Sequence, residues 1–147
     1  MDYIKVQCEL LKEYGKNKEP KSFITSIDNF TYASVNGRWC AVIPTEKWLL
    51  NLPETPKFEG FKSLLKTLRN GNAKIVEVTD ITDKSKDFTA IKLTCEEFDV
   101  WVNKKFLAFF GTPSKLKILA FNKLTPIYIY DNVTNDLLGI IGAIRKM

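Results

Sequence analysis

The chain opens on an alternation of apolar and polar positions. Ile4, Val6, Cys8 and Leu10 take one side and Lys5, Gln7 and Glu9 the other, which predicts a strand over residues 3–9. The period then changes. Leu10, Leu11 and Tyr14 follow at i, i+1, i+4, a helical stripe over 10–15 that Gly15 would close. Beyond the polar linker KNKEPKS, alternation returns over 22–28 and 30–35. Asn36-Gly37 predicts a tight hairpin, since both residue types tolerate positive φ, and 38–43 is the return strand. Pro44 ends that strand, and Thr45 with Glu46 begins a helical turn running to Leu50.

After the loop PETPKFEG, Phe61, Leu64, Leu65 and Leu68 mark an amphipathic helix capped by Gly71, with Lys62, Lys66 and Arg69 on its outer side. Strands are expected over 73–79 and 88–95, joined by the charged turn DITDKSKD, and again over 98–102. Asn103 is placed to cap a helix over 104–110. Three strands complete the chain, at 115–121, 126–131 and 137–145, the last interrupted by Gly139 and Gly142.

The two ends share a pattern. Ile4, Val6, Leu10, Leu11, Tyr14 and Gly15 have the spacing of Val100, Val102, Phe106, Leu107, Phe110 and Gly111, at a constant offset of 96. Each end then continues into three strands. The expected fold is α+β: one domain over 1–147, built of two β-α-β-β-β half-units at about 1–44 and 96–147. A helical and hairpin segment, 45–95, joins them, and the short helices pack on one face of a mainly antiparallel sheet.

Composition narrows the chemistry. The 147 residues are 45% apolar with ten Phe, enough for a core without staples. No apolar run approaches the roughly 18 residues that a spanning helix needs. The first residues are amphipathic with early acids, unlike a signal peptide, so no membrane partner and a cytoplasmic location are expected. Cys8, Cys40 and Cys95 are widely spaced and there is no histidine, which argues against a zinc site of the usual Cys/His kind and against disulfides. The same absence removes Ser-His and Cys-His nucleophile pairs. No glycine-rich phosphate loop or G-x-S-x-G occurs either, so the expectation is a non-enzyme without a cofactor. The carboxylates best placed for an enzyme are Asp80, Asp83 and Asp87, and their charged turn reads as solvated surface.

Charge adds a partner class. The formal net charge is +5, and only Arg38, Arg69 and Arg145 are arginine. Lysine is a mobile point charge suited to phosphates, whereas base edges are usually read by bidentate arginine. A nucleic-acid partner would therefore be held through its backbone, without sequence preference.

The run FDVWVNKKFLAFF, followed by LKILAFNKLTPIYIYDNVTNDLLGIIGAIRKM, resembles the end of a domain of the bacterial sliding clamp, the replicative polymerase's processivity subunit. MDYIKVQCELLKEYG is similar to the strand and helix that open such a domain, and TYASVNGRWCAVIP to its strand, tight turn and next strand. The resemblance implies a DNA-clamp-like domain whose helices offer cations to duplex phosphates. The residues it points to are Lys12 and Lys16 near the first helix, Lys104 and Lys105 on the last, and Lys62, Lys66 and Arg69 at i, i+4, i+7 between them. Clamp rings contain six such domains, so a one-domain chain that circled DNA would be a homo-oligomer. The alternative is a module encoded by a virus or mobile element, working in the host cytoplasm, that binds or inhibits a host replication or defence protein. Residues 45–95 exceed what a minimal clamp domain needs, and no counterpart of the clamps' client-peptide pocket is found.

Overall fold

A computed structural model describes residues 1–16, 23–52, 63, 65, 66, 68 and 71–145. The chain is α+β with antiparallel strands, and it divides between Asn72 and Ala73 into two compact units.

In the unit formed by Asp2–Asn72 the opening is helical throughout. Helix α1 spans Tyr3–Lys16. Asp2 starts it, its Oδ1 accepting the amides of Ile4 and Lys5 at 3.1 Å each, which satisfies two donors the first turn leaves without an internal partner. Val6, Gln7 and Leu10, at i, i+1, i+4, are buried. The expected strand over 3–9 is thus corrected. Val6 and Leu10 are four apart and share a helix face, while Ile4 and Cys8, the other members of the alternation, are exposed. Gly15 does not end the helix, which continues to Lys16.

Strands β1 (Phe23–Ile27), β2 (Phe30–Ser34) and β3 (Trp39–Pro44) follow the expected pattern closely and form an antiparallel meander. In the β2–β3 connection Gly37 has φ +74°, its amide donates to Ser34 Oγ, and Asn36 Oδ1 accepts the Arg38 amide at 2.9 Å. This is the left-handed position that Asn-Gly foretold. β3 is buried from Trp39 to Ile43 without alternation, as a strand covered on both faces must be. A 3-10 turn, Thr45–Lys47, replaces the longer helical turn expected to Leu50.

The unit formed by Ala73–Met147 contains β4 (Lys74–Lys84), β5 (Thr89–Thr94), β6 (Asp99–Asn103), helix α2 (Lys104–Ala108), β7 (Leu116–Ala120), β8 (Ile127–Asp131) and β9 (Leu137–Ile141). Their lateral order is β9-β8-β7-β4-β5-β6, with every pair antiparallel. From β6 onward the order strand, helix, three strands is the one expected for the second half-unit. Asn103 caps α2, its Oδ1 accepting the Lys105 amide at 3.0 Å. The half-unit expected over 1–44 lacks its leading strand, because α1 occupies that place.

Two features depart from expectation in this unit. β4 runs on to Lys84, where a turn over 80–87 was expected, and its register with β5 shifts between Val78 and Thr82. Thr79, Asp80 and Ile81 bulge there against Lys92, with Thr79 Oγ1 donating to the Lys92 carbonyl at 2.7 Å and accepting the Ile81 amide at 3.2 Å. The second is an isolated antiparallel bridge between Trp101 on β6 and Ile144, three residues past the end of β9. Laid flat, five strand spacings would separate β6 from β9 by about 24 Å. Three residues reach about 11 Å. The sheet is therefore curled, bringing its first and last strands together. Val76, Ile91, Leu93, Val100, Val102, Ile118, Ile129 and Leu138 are buried on its strands, with Phe106, Leu107 and Phe110 at α2.

Candidate nucleic-acid interface

Five of the seven cationic residues expected to meet phosphate fall within the described residues. Lys12 and Lys16 are exposed on α1, Lys66 is exposed on a helical position, and Lys104 and Lys105 are exposed on α2. Lys62 and Arg69 lie outside the described residues. The first unit carries Lys12, Lys16 and Lys66, and the second carries Lys104 and Lys105.

Local geometry separates these lysines. Lys12 Nζ lies 3.4 Å from Glu9 Oε1, an exposed i, i+3 pair that water screens and that holds the ammonium only weakly. Lys105 Nζ sits 6.0 Å from the centre of the Phe109 ring, at the outer limit of cation–π attraction. Lys104 and Lys105 occupy the first turn of α2, which carries no acid. α2 is five residues long, so Lys105 falls in its last turn as well as its first, and neither lysine caps the helix. Asn103 Oδ1 does the capping instead, and the two ammonium groups remain exposed.

Other lysines are held by the fold. Lys117 Nζ donates to Asn135 Oδ1 at 2.6 Å and lies 5.5 Å from the Tyr130 ring centre. Lys47 lies over the Tyr3 ring, Lys74 pairs with Glu97 at 3.5 Å, and Lys92 pairs with Asp99 at 3.3 Å. The Asp99 carboxyl is held below its ordinary range, chiefly by the Thr94 hydroxyl donating at 2.6 Å and then by Lys92.

The carboxylates weighed for catalysis are spread along one hairpin. Asp80 and Asp83 lie on β4 and Asp87 in the turn to β5, all exposed. Among the described residues no three Cys, Asp or Glu side chains converge in a way that could hold a metal ion. The cysteines are apart in character: Cys8 is exposed, Cys95 half-buried and Cys40 buried. Burial pushes the Cys40 thiol up to about 12, an inert state at neutral pH.

Sequence reasoning missed two open grooves in the second unit. One, of about 580 Å³, is lined by Ile75, Glu77, Thr94, Cys95 and Glu96 and crossed by the Lys74–Glu97 pair. The other, of about 490 Å³, opens where β4 and β7 splay apart beyond the Val76–Ile118 pairing, between Val78, Leu116 and Pro113. Both are lined on one side by Lys74–Val78 of β4, inside the strand expected over 73–79; what was hidden is the long-range pairing that sets this strand beside β5 and β7. Among the described residues, no helix is long and apolar enough to cross a membrane. Comparison of the chain with family models, with curated proteins and with solved structures finds no match.

Proposed function

We propose that the protein is a non-catalytic, clamp-like replication-accessory protein that contacts duplex DNA through its phosphates, without sequence preference. The observation that carries this reading is the exposure of Lys104 and Lys105 side by side at the start of α2, with no acid in that turn. Lys12 and Lys16 on α1 and Lys66 offer the same chemistry, and a net charge of +5 supplies long-range attraction. Lysine-only contacts neutralise phosphates and leave base edges unread. The order strand, helix, three strands over 99–141 agrees with the half-unit on which the clamp resemblance rests. A single chain of this size cannot surround a duplex, so self-association belongs to the same reading.

Fluorescence anisotropy with labelled duplexes of unrelated sequence tests it. Equal affinities are expected, falling steeply as salt rises, with log K against log salt shallower by about two in the Lys104→Glu/Lys105→Glu variant. Absence of duplex binding at low salt, or a salt slope untouched by that variant, would refute the reading. Light scattering on the same samples reads the assembly.

A further inference from the structure

Helix α1 presents two apolar surfaces. Val6 and Leu10 are fully buried, while Ile4 and Leu11 are 66% and 51% exposed. Ile4, Cys8 and Leu11 stand at i, i+4, i+7, so they form one row along the outside of the helix, and Cys8 is exposed with them. Single exposed aliphatics are ordinary. Two in one row, beside a row of charge, make a directional surface. Lys5, Lys12 and Lys16, at i, i+7, i+11, supply that charge along one flank, and all three are exposed. Glu9 lies behind the lysine row, in contact with Lys12.

We propose that this outer face of α1 docks an acidic, amphipathic segment of a partner protein. Charge decides the occupant. A second copy docking by the same helix face would bring the same lysines and no acidic row to meet them. A phosphate backbone would match the lysines but offer nothing apolar to Ile4 and Leu11. An anionic lipid surface would offer both, yet helices that lie in the interface insert a long apolar face. Here the remaining large apolar residues of α1 are turned into the core. A segment with aliphatic residues at helical spacing and carboxylates beside them matches both rows, the arrangement by which amphipathic helices dock on a groove or face. This inference shares Lys12 and Lys16 with the duplex reading and differs from it in Ile4 and Leu11, which have no part in phosphate contact.

The test uses the full chain and a fluorescein-labelled synthetic helix with leucines at i, i+3 and i+7 and glutamates on both flanks. Binding is expected at moderate salt, weakening about tenfold with Leu11→Gln, the effect of losing one buried aliphatic contact. Ile4→Gln should act alike, and Lys5→Glu/Lys12→Glu should weaken it further. Circular dichroism checks that the fold survives, which the exposure of these positions favours. Duplex binding should be unchanged in Leu11→Gln, which separates failure of this proposal from failure of the other. The proposal is overturned if the acidic helix binds no better than a version with lysines in place of its glutamates. Tighter binding to phosphatidylserine vesicles than to the helix, or a dimer that Leu11→Gln dissolves, overturns it equally.

Discussion

The Gln7 side chain holds Leu49 from across the first unit. Its Oε1 accepts the Leu49 amide at 2.7 Å, and its Nε2 donates to the carbonyls of Lys47, also at 3.0 Å, and of Tyr3 at 3.0 Å. The donor and acceptor pattern leaves one orientation of the amide group. Gln7 is 3% exposed, so these bonds are made largely away from water. Gln7→Leu keeps the bulk but strands the Leu49 amide and the Lys47 carbonyl, while the Tyr3 carbonyl keeps the backbone amide of residue 7 within α1, and about 1–3 kcal/mol of unfolding free energy should be lost. Urea unfolding checks this, and an unchanged midpoint would show that water replaces the side chain without cost.

That contact also explains how α1 escaped the hydrophobic pattern. In the alternation from Ile4 to Leu10, Gln7 stands on the polar side, and only its backbone partners forty residues away make it a buried residue. No local signal reports such a partner. By contrast, the β2–β3 hairpin and the start of α2 were legible, because Asn36-Gly37 and Asn103 act on backbone within two residues of themselves. β4 was legible over 73–79 and failed as α1 did only beyond it, where a turn was expected. Its second half, Thr82–Lys84, is held by pairing with Thr89–Ile91 and not by apolar side chains, so charge made it look like a turn. The candidate lysines were legible as charges, and their exposure is what the structure adds. The outer row of α1 was hidden by the mistaken strand, which put Ile4 and Leu10 on one face.

Two glycines should respond to alanine in opposite directions. Gly37 sits at φ +74° with open space where a Cβ would go, so the whole penalty of Gly37→Ala is backbone strain, about 1 kcal/mol. Gly15 lies within α1 with equally open space and no positive φ. Gly15→Ala should raise stability by about 0.5–1 kcal/mol through helix propensity. Thermal unfolding of the pair decides it: a loss in Gly15→Ala would mean that α1 does not persist to its last turn.

The cysteines should separate by reactivity. With the Cys40 thiol buried and pushed up to about 12, a thiol reagent at pH 8 should label Cys8 at once and spare Cys40 until the chain unfolds. Mass spectrometry of the labelled peptides reads this directly. Prompt labelling of Cys40 would show that the β3 region opens under native conditions.

Acid should weaken the fold through Asp131. The amides of Thr134 and Val133 hold its carboxyl below the ordinary aspartate range, donating to Oδ1 at 2.9 and 2.8 Å. A depressed native value means that folding favours the ionised form. The contribution is therefore full above the unfolded value of about 3.9 and is lost as pH falls through the native one. Asp131→Asn keeps an acceptor oxygen but not the charge. Its stability deficit should be present at pH 7 and shrink below pH about 4. Urea unfolding at both pH values checks the sign, and a deficit that grew on acidification would contradict it.

The curl of the six-stranded unit should be open to test at one bond. The Ile144 amide donates to the Trp101 carbonyl at 2.8 Å, and this bridge joins the chain beyond β9 to the edge of β6. Ile144→Pro removes the donor and nothing else can take its place, whereas Ile144→Ala keeps the amide and loses only side-chain contact. The proline variant should be about 1 kcal/mol less stable than the alanine variant, the net worth of one backbone hydrogen bond. The indole of Trp101, half-buried on β6, should become more accessible to acrylamide quenching in the proline variant alone. Equal stability and equal quenching in the two variants would mean that side-chain packing between the strands holds the curl, and that the bridge follows from it instead of causing it.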